Sequence, residues 1–183
     1  MAAAVSTILA TRRLVPCRWR LEDPSAARAR LGDPEAMRFS DRCPLDAAGL
    51  AAGLEEATAE AEAPTPLGVW AVVPRGAAAP AGYPSLREGP RVGPGRVVLG
   101  LRLMPGLWGK GFAAEAARAA LSRLPEARPE ANAVALVDPG NAASVQWLRR
   151  LGFAQTVEVM FEGCDHPDHL YLLSPDGGAN SCS

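Results

Sequence analysis

The stretch LRLMPGLWGKGFAAEAARAA, residues 101–120, decides the fold of this chain. Apolar residues alternate with other residues up to position 104, and this period of two predicts a strand over residues 97–104 that is buried on at least one face. Pro105 and Gly106 end the strand. Beyond Gly111, alanine and leucine recur at helical spacing, and Pro125 is expected to close the helix. The stretch therefore predicts a strand, a tight glycine turn and a helix.

The glycine turn has the properties of an anion-binding site. Gly109 and Gly111 flank Lys110, the only lysine in the chain, where the helix should begin. The first backbone N–H groups of a helix have no intrahelical partner and lie at the positive end of its dipole. Glycine lets a phosphate approach these groups closely, and Lys110 adds a positive charge. The turn predicts a phosphate site, and the alternative is a flexible helix entry without a ligand.

Composition limits the class of protein. The 183 residues suffice for one domain, 48% are hydrophobic, and the formal net charge is −1. The chain lacks the excess of basic residues that is typical of nucleic-acid-binding proteins, and no apolar run approaches membrane-spanning length. The first residues lack the basic region of a secretory signal, and the four cysteines show no paired spacing. We therefore expect a cytoplasmic protein with reduced thiols and without a nucleic-acid or membrane partner.

The rest of the chain predicts a mixed α/β domain. A strand is expected over residues 11–20, with Pro16 at an edge or bulge, and Pro84 should confine any strand over residues 81–86 to a sheet edge. Residues 75–95 are otherwise expected to form a loop. The other expected elements are helices at 23–31, 33–39 and 46–63, a strand at 67–73, a buried strand at 133–137, a helix at 142–151 capped by Asn141, and strands at 153–161 and 169–173. We expect a flexible arm at 1–10, one domain over 11–174 and a disordered tail at 175–183.

A dinucleotide-binding fold is one interpretation of the turn. The segment GKGFAA, residues 109–114, fits the pattern G-x-G-x-x-A, and Asp138 follows the next predicted strand, where it could hold a ribose hydroxyl. However, residues 105–108 separate the strand from the glycines, and more than half of the chain precedes the motif. An NAD(P)-binding oxidoreductase is therefore the second interpretation.

Three separate motifs resemble those of the GNAT N-acetyltransferases, in the branch that includes the ribosomal-protein N-acetyltransferases. WGKGFA at 108–113 is similar to the family loop [Q/R]-x-x-G-x-[G/A], with tryptophan in the first position, and Glu115-Ala116 follows as in that branch. DPGNAAS at 138–144 and LGF at 151–153 resemble the second family signature. TRRL at 11–14 is similar to the opening Thr-Glu-Arg-Leu of the branch, with Arg12 where glutamate is usual. The resemblance covers residues 11–173.

The resemblance implies a GNAT-like acyl-CoA N-acyltransferase fold, a mixed sheet with splayed central parallel strands. These strands would be residues 97–104 and 133–137, and the pantetheine arm of acetyl-CoA would lie between them. Backbone groups near Leu103 and Met104 would pair with pantetheine, and the N–H groups of residues 109–113 would hold the pyrophosphate. The implied cofactor-binding residues are Leu103, Met104, Trp108, Gly109, Lys110, Gly111, Phe112, Ala113 and Asn141.

The resemblance also implies direct attack of a neutral primary amine on the acetyl thioester. An N–H group near Met104 would stabilise the oxyanion, and Ser144 would donate a proton to the leaving thiolate. From the residues alone, Ser144 is equally an ordinary residue of the first helical turn, and Asn141 is equally an ordinary helix cap. Val98 occupies the place where relatives often carry a glutamate. The general base is therefore unassigned, and a GNAT-fold acyl-CoA sensor without transferase activity is a third interpretation.

The sequence assigns neither a role to the two histidines nor an identity to the acceptor. Cys164, His166 and His169 form Cys-x-His-x-x-His, but a surface loop or a part of the acceptor pocket suits them better than a metal site, and we predict no metal. The acceptor amine is either a protein N-terminal amino group or a small-molecule amine. Homodimers are common in the branch, although no feature of the sequence supports one here.

Overall fold

The structure is a computed structural model that describes residues 10–17, 33–39, 67–89, 92–161 and 165–173. A six-stranded mixed sheet lies at the centre of these residues. The strands are β1 (Leu14–Cys17), β2 (Gly68–Val69), β3 (Ala71–Pro74), β4 (Gly82–Glu88), β5 (Arg96–Leu103), β6 (Asn132–Val137), β7 (Phe153–Val159) and β8 (Asp168–Leu173). The helices are α1 (Pro34–Met37), α2 (Phe112–Leu121), α3 (Leu124–Ala127) and α4 (Ala142–Arg150).

The strands alternate with helices in the second half of the chain. The order across the large sheet is β2-β4-β5-β6-β8-β7, and β1 pairs with β3 in a separate two-stranded sheet. Among the described strands, β5 and β6 form the one parallel pair, and α2 and α3 connect them. This arrangement confirms the predicted mixed α/β class. No helix in the described ranges is both long enough and apolar enough to cross a bilayer.

The two central parallel strands separate after a short contact. Three register pairs join β5 to β6, from Arg96 with Asn132 to Val98 with Val134. Beyond Val98, β5 remains paired with β4 as far as Leu103, whereas β6 remains paired with β8 as far as Val137. Each strand therefore follows its outer neighbour, and a gap opens between them toward their carboxyl ends, as the family resemblance implies.

Helix α2 packs closely on the sheet because its inner side chains are small. Ala116, Ala117 and Ala120 are buried, and alanine is the residue with the highest intrinsic helix propensity. Ala117 belongs to a core cluster that also contains Leu99 of β5 and Leu148 of α4. The start of α2 therefore lies at a fixed position beyond the end of β5.

Pro84 lies inside the large sheet, so the expectation of an edge strand is wrong. β4 spans seven residues between β2 and β5. The carbonyl of Pro84 accepts from Trp70 N–H at 3.1 Å, and the nitrogen and oxygen of one strand residue face the same side. The missing N–H of Pro84 therefore faces Trp70, the residue between β2 and β3 where pairing with β2 has ended, and an interior strand tolerates it there.

Other boundaries also differ from the sequence expectations. The strand expected at 67–73 is split at Trp70, and the short strand considered over residues 81–86 is β4, which extends to Glu88. Pro125 lies in the first turn of α3 rather than closing α2, because proline fits the start of a helix. The prediction at Asp33-Pro34 is confirmed, since the Asp33 side chain accepts from the N–H groups of Glu35 and Ala36. The helices expected at 23–31 and 46–63, the arm and the tail lie outside the described residues.

Candidate active site

The turn between β5 and α2 has a backbone shape that glycine permits. A 3₁₀ turn at Pro105–Leu107 follows the strand. Gly109 has φ +69° and Gly111, the N-cap of α2, has φ +77°. This left-handed region costs an L-residue about 1–2 kcal/mol. The two glycines flanking Lys110 therefore serve the shape of the turn as well as the approach of a ligand.

The turn presents a set of unpartnered backbone donors. Among the described residues, no carbonyl or side chain accepts from the N–H groups of residues 110–114. The first main-chain bond of α2 runs from Glu115 N–H to Gly111 C=O, at 3.2 Å. Successive free N–H groups at the positive end of a helix dipole form a binding site for an anion such as phosphate.

Trp108 connects this turn to the edge of the gap. Its indole Nε1 donates to the carbonyl oxygen of Leu103 at 2.7 Å. Its backbone N–H donates to Pro105 C=O at 3.0 Å, and its side chain is 39% exposed. Trp108 therefore acts on the turn through its indole, and its backbone N–H is not available to a ligand.

The backbone groups of Met104 are also occupied. Its N–H donates to Ala81 C=O at 2.8 Å, and its C=O accepts from Leu107 N–H at 2.9 Å. The Met104 N–H is therefore not available to a ligand, and a donor near Met104 has to come from a neighbouring residue of the strand. Because successive strand residues point their polar groups to alternate sides, the N–H of Leu103 faces away from β4 and toward the gap. Leu103 replaces Met104 as the candidate backbone donor.

Lys110 does not extend freely into solvent. Its ammonium donates to Gly106 C=O at 2.7 Å, across the turn, and its own carbonyl accepts from Arg13 Nη1 at 2.8 Å. The lysine charge thus lies beside the 3₁₀ turn. The carbonyl of Lys110 is directed to Arg13, away from the free N–H groups.

Arg13 and Glu115 form an ion pair under the turn. Arg13 Nε lies 2.5 Å from Glu115 Oε2, and the Arg13 guanidinium stacks 4.2 Å from the centroid of the Phe112 ring. Thr11 Oγ1 and the backbone N–H of Arg13 both donate to Glu115 Oε1. Burial raises the pKa of the Glu115 carboxyl, but these hydrogen bonds and the Arg13 charge outweigh it and hold the pKa below its usual value.

The start of α4 lies after β6, the other strand of the gap. Asn141 caps the helix, because its Oδ1 accepts from Ser144 N–H at 3.1 Å. The capping role predicted for Asn141 is thus confirmed, and its amide Nδ2 stays outside that bond. Ser144 is half-buried in the first turn. No described residue forms a hydrogen bond with its hydroxyl.

The two histidines have different acidic partners. His166 Nε2 lies 3.7 Å from Asp138 Oδ2, and His169 Nε2 lies 3.5 Å from Glu158 Oε1. Within the described ranges no group of three or more His, Cys, Asp or Glu residues is arranged to hold a metal, and Cys164 lies outside those ranges. The other oxygen of Asp138 accepts from Gly140 N–H at 2.7 Å, so this carboxylate helps to form the turn before α4.

A concavity of about 830 Å³ lies at the opposite end of the central strands. Its lining includes Glu88, Arg96, Val97, Arg128 and Glu130. Arg96 and Val97 are the first residues of β5, whereas the glycine turn follows its last residue. This concavity is therefore separate from the gap and from the free N–H groups.

The match to a known family now identifies the chain. A family model for the acetyltransferase (GNAT) domain matches residues 13–154 of the 183. The chain belongs to the GNAT acetyltransferase family. The matched range contains the glycine turn, both central strands and α4. The GNAT resemblance seen in the three sequence motifs is confirmed, and acetyl transfer is the activity that the family supports.

Solved structures of GNAT proteins share the fold. The GNAT-family acetyltransferase from Bacillus anthracis matches with a TM-score of 0.72 and 16% identity, over 89% of this chain and 95% of that one. An acetyltransferase from Agrobacterium tumefaciens strain C58 matches with a TM-score of 0.70 and 21% identity, over 89% and 91%. RimL, a ribosomal L7/L12 alpha-N-protein acetyltransferase in an apo form, matches with a TM-score of 0.66 and 14% identity, over 88% and 90%. At these identities the matches show the GNAT fold alone.

The candidate GNAT site brings together most of the residues expected from the sequence. Gly109, Gly111, Phe112 and Ala113 belong to the turn with its free N–H groups, and Leu103 borders the gap. Arg13 is a site residue that the sequence does not single out, although it lies in the motif TRRL. The signal was the co-occurrence of that motif with Glu115-Ala116, since the structure joins the two motifs directly.

Proposed function

We propose that this chain is an acetyl-CoA-dependent N-acetyltransferase that acts on a primary amine. The observation that carries the proposal is the row of free N–H groups at residues 110–114, next to the gap between β5 and β6. A pyrophosphate on the turn and a pantetheine arm in the gap together account for both features. Family membership supports acetyl transfer in general. The proposal adds acetyl-CoA as the donor and a primary amine as the acceptor.

Pantetheine is a chain of two amides, so a strand edge with unused peptide groups suits it. Beyond Val98 and Val134 no register pair joins β5 to β6, although both strands are fully described. The peptide groups of Leu101 and Leu103 face the gap, because they alternate with those that bond to β4. In this proposal the peptide groups of Leu101 pair with the pantetheine amides, as a further strand would, because the Leu103 carbonyl already accepts from Trp108.

The reaction is a direct transfer. The lone pair of a neutral amine attacks the thioester carbonyl, a C–N bond forms, the C–S bond breaks, and the amine loses a proton to a base or to water. The N–H of Leu103 replaces Met104 as donor to the oxyanion. The hydroxyl of Ser144 gives its proton to the departing thiolate, and solvent replaces that proton. The amide of Asn141 helps to position the pantetheine.

The acceptor is proposed only as a class. A protein N-terminal amino group and a small-molecule amine both satisfy the chemistry, since each supplies a neutral nitrogen after loss of one proton. RimL, whose printed name describes an alpha-N-protein acetyltransferase, shares the fold, and this likeness supports including protein N-termini among the candidates.

One observation favours a second function, an acyl-CoA sensor. Val98, where relatives often carry a glutamate, packs in an apolar cluster with Val134 and Leu170. A carboxylate base is therefore missing from that position of β5. A sensor would bind acetyl-CoA without accelerating the loss of its acetyl group.

Thiol release separates these two functions. The protein is incubated with acetyl-CoA and a panel of amines, including peptides with free N-termini, and free CoA is measured with a thiol reagent. The transferase proposal predicts release that depends on one amine class and yields the acetylated product by mass spectrometry. Saturable acetyl-CoA binding without amine-dependent release would favour the sensor.

A further inference from the structure

We infer that Arg13 is a positioning residue that sets the direction of the N–H groups in the phosphate-binding turn. This inference rests on the proposed function, because it assumes that the turn receives the pyrophosphate of CoA. Arg13 precedes β1, and 97 positions separate it from Lys110, whose carbonyl it binds. The turn itself comes from the β5–α2 connection, so β1 would take part in a site that another segment forms.

Arg13 fixes the orientation of the peptide between Lys110 and Gly111. Its carbonyl oxygen accepts from Arg13 Nη1 at 2.8 Å. The described chain contains no cis peptide bond, and in a trans peptide the C=O and the following N–H point in opposite directions. Because Arg13 holds the Lys110 carbonyl toward itself, the Gly111 N–H points away from Arg13. Arg13 also removes a carbonyl oxygen that would repel an anion.

Glu115 performs the same task for the next peptide. Its backbone N–H donates to Gly111 C=O at 3.2 Å, which directs the N–H of Phe112 away from that carbonyl. Its carboxylate holds Arg13 Nε at 2.5 Å. Arg13 and Glu115 therefore fix two successive donors of the turn, and each fixes the other.

Arg13 itself is held rigidly enough for this role. The next residue, Leu14, is fully buried in a cluster with Leu103 and Ala116, so the start of β1 is anchored to β5 and α2. The guanidinium uses Nε for Glu115 and Nη1 for Lys110, and its plane stacks on the Phe112 ring. A planar fork spans both acceptors at once, whereas a lysine ammonium is a compact point charge.

The substitution Arg13→Lys tests the inference because it preserves the charge opposite Glu115 but not the fork. Calorimetric titration with CoA gives the Kd, and thermal unfolding gives Tm. We expect Arg13→Lys to raise the Kd about tenfold, the effect of losing one hydrogen bond from a charged group, with Tm close to that of the unsubstituted protein. Arg13→Ala should raise the Kd at least as much and lower Tm as well.

Arg75→Lys is the matched control. Arg75 donates to the carbonyls of Thr11 and Arg12, so it supports the same segment before β1 without touching the turn. It should leave the CoA Kd unchanged. An unchanged Kd in Arg13→Lys, or a Kd that simply follows Tm across all three variants, overturns the inference. Absence of CoA binding by the unsubstituted protein would instead refute the proposed function.

Discussion

The indole Nε1 of Trp108 donates a hydrogen bond of 2.7 Å to the carbonyl oxygen of Leu103, the last residue of β5. This bond joins the two halves of the candidate site. Leu103 borders the gap proposed for pantetheine, and Trp108 begins the turn proposed for pyrophosphate. The distance between the two proposed subsites is therefore set by a side chain as well as by the backbone.

The substitution Trp108→Phe should weaken CoA binding severalfold. Phenylalanine retains an aromatic ring but lacks the N–H donor, so the Leu103 carbonyl loses its partner and the turn can shift against β5. Tm should fall by only a few degrees, because Trp108 is 39% exposed. The measurement is the CoA Kd by calorimetry. An unchanged Kd would contradict the proposed role of the bond.

The substitutions Gly111→Ala and Gly93→Ala form a matched pair. Both glycines have positive φ, +77° and +82°. Among the described residues, an added Cβ meets nothing closer than Arg13 Nη2 at 3.5 Å for Gly111 and nothing within 4 Å for Gly93. Each substitution should cost about 1–2 kcal/mol of unfolding free energy through the backbone alone.

Only Gly111→Ala should reduce CoA affinity, by about tenfold or more, because a change of the backbone angles at residue 111 redirects the N–H groups of the turn. The two variants should have similar Tm values, so the comparison removes the contribution of stability. Equal CoA affinity in the two variants would show that the turn does not receive the pyrophosphate.

Glu115 should make the protein more sensitive to acid. Its folded-state pKa lies below the usual value, because hydrogen bonds from Thr11 and Arg13 and the Arg13 charge outweigh the effect of burial. Between the folded-state pKa and the usual pKa, the unfolded chain therefore binds more protons than the folded chain, and the free energy of unfolding rises with pH. The contribution is complete above the usual glutamate pKa of about 4.3 and is lost as the pH falls through the lower folded-state value.

The substitution Glu115→Gln measures this contribution. At pH 7 the variant should be about 1 kcal/mol less stable, which corresponds to a Tm lower by roughly 2–4 °C. The difference from the unsubstituted protein should shrink as the pH falls below about 4. Glu126→Gln is the control, since Glu126 is 67% exposed in its pair with Arg123. A constant difference at every pH would refute the assignment to Glu115.

The substitution Ser144→Ala should lower kcat at least tenfold and leave the KM for acetyl-CoA nearly unchanged. A proton donor acts in the transition state, whereas the helix cap depends on the Ser144 backbone N–H and the Asn141 side chain, which the substitution retains. Steady-state kinetics with the amine found in the thiol-release panel give both constants. Ser122→Ala, at the far end of α2, should change neither. A rise in KM with constant kcat would assign Ser144 to binding alone.

The sequence predicts the central part of this fold because the signals there are local. The strand, glycine turn and helix between residues 96 and 121 follow from period-two and helical patterns within about 25 positions. Pro84 shows where local signals fail. Whether a proline is tolerated inside a sheet depends on the neighbour that faces its nitrogen, and here that neighbour is the junction at Trp70.

The candidate site also contains features that local sequence signals predict and features that they do not. The glycines at 109 and 111 are visible in the sequence because their function is to be small and flexible. The contact between Arg13 and Glu115 joins residues 102 positions apart, and no periodicity reports it. Leu103, not Met104, is the candidate backbone donor because of the side of β5 that each peptide faces. This orientation follows from the bond between Met104 and Ala81, not from residue types.

Calorimetric titration with acetyl-CoA, with NADH and NADPH as controls, tests whether this chain binds the acyl donor proposed for it. We expect saturable binding of acetyl-CoA at one site per chain with a Kd in the micromolar range, and no binding of either dinucleotide. Binding of NADH or NADPH without acetyl-CoA binding would contradict the proposed acetyltransferase function and would make Asp138 the ribose ligand to test.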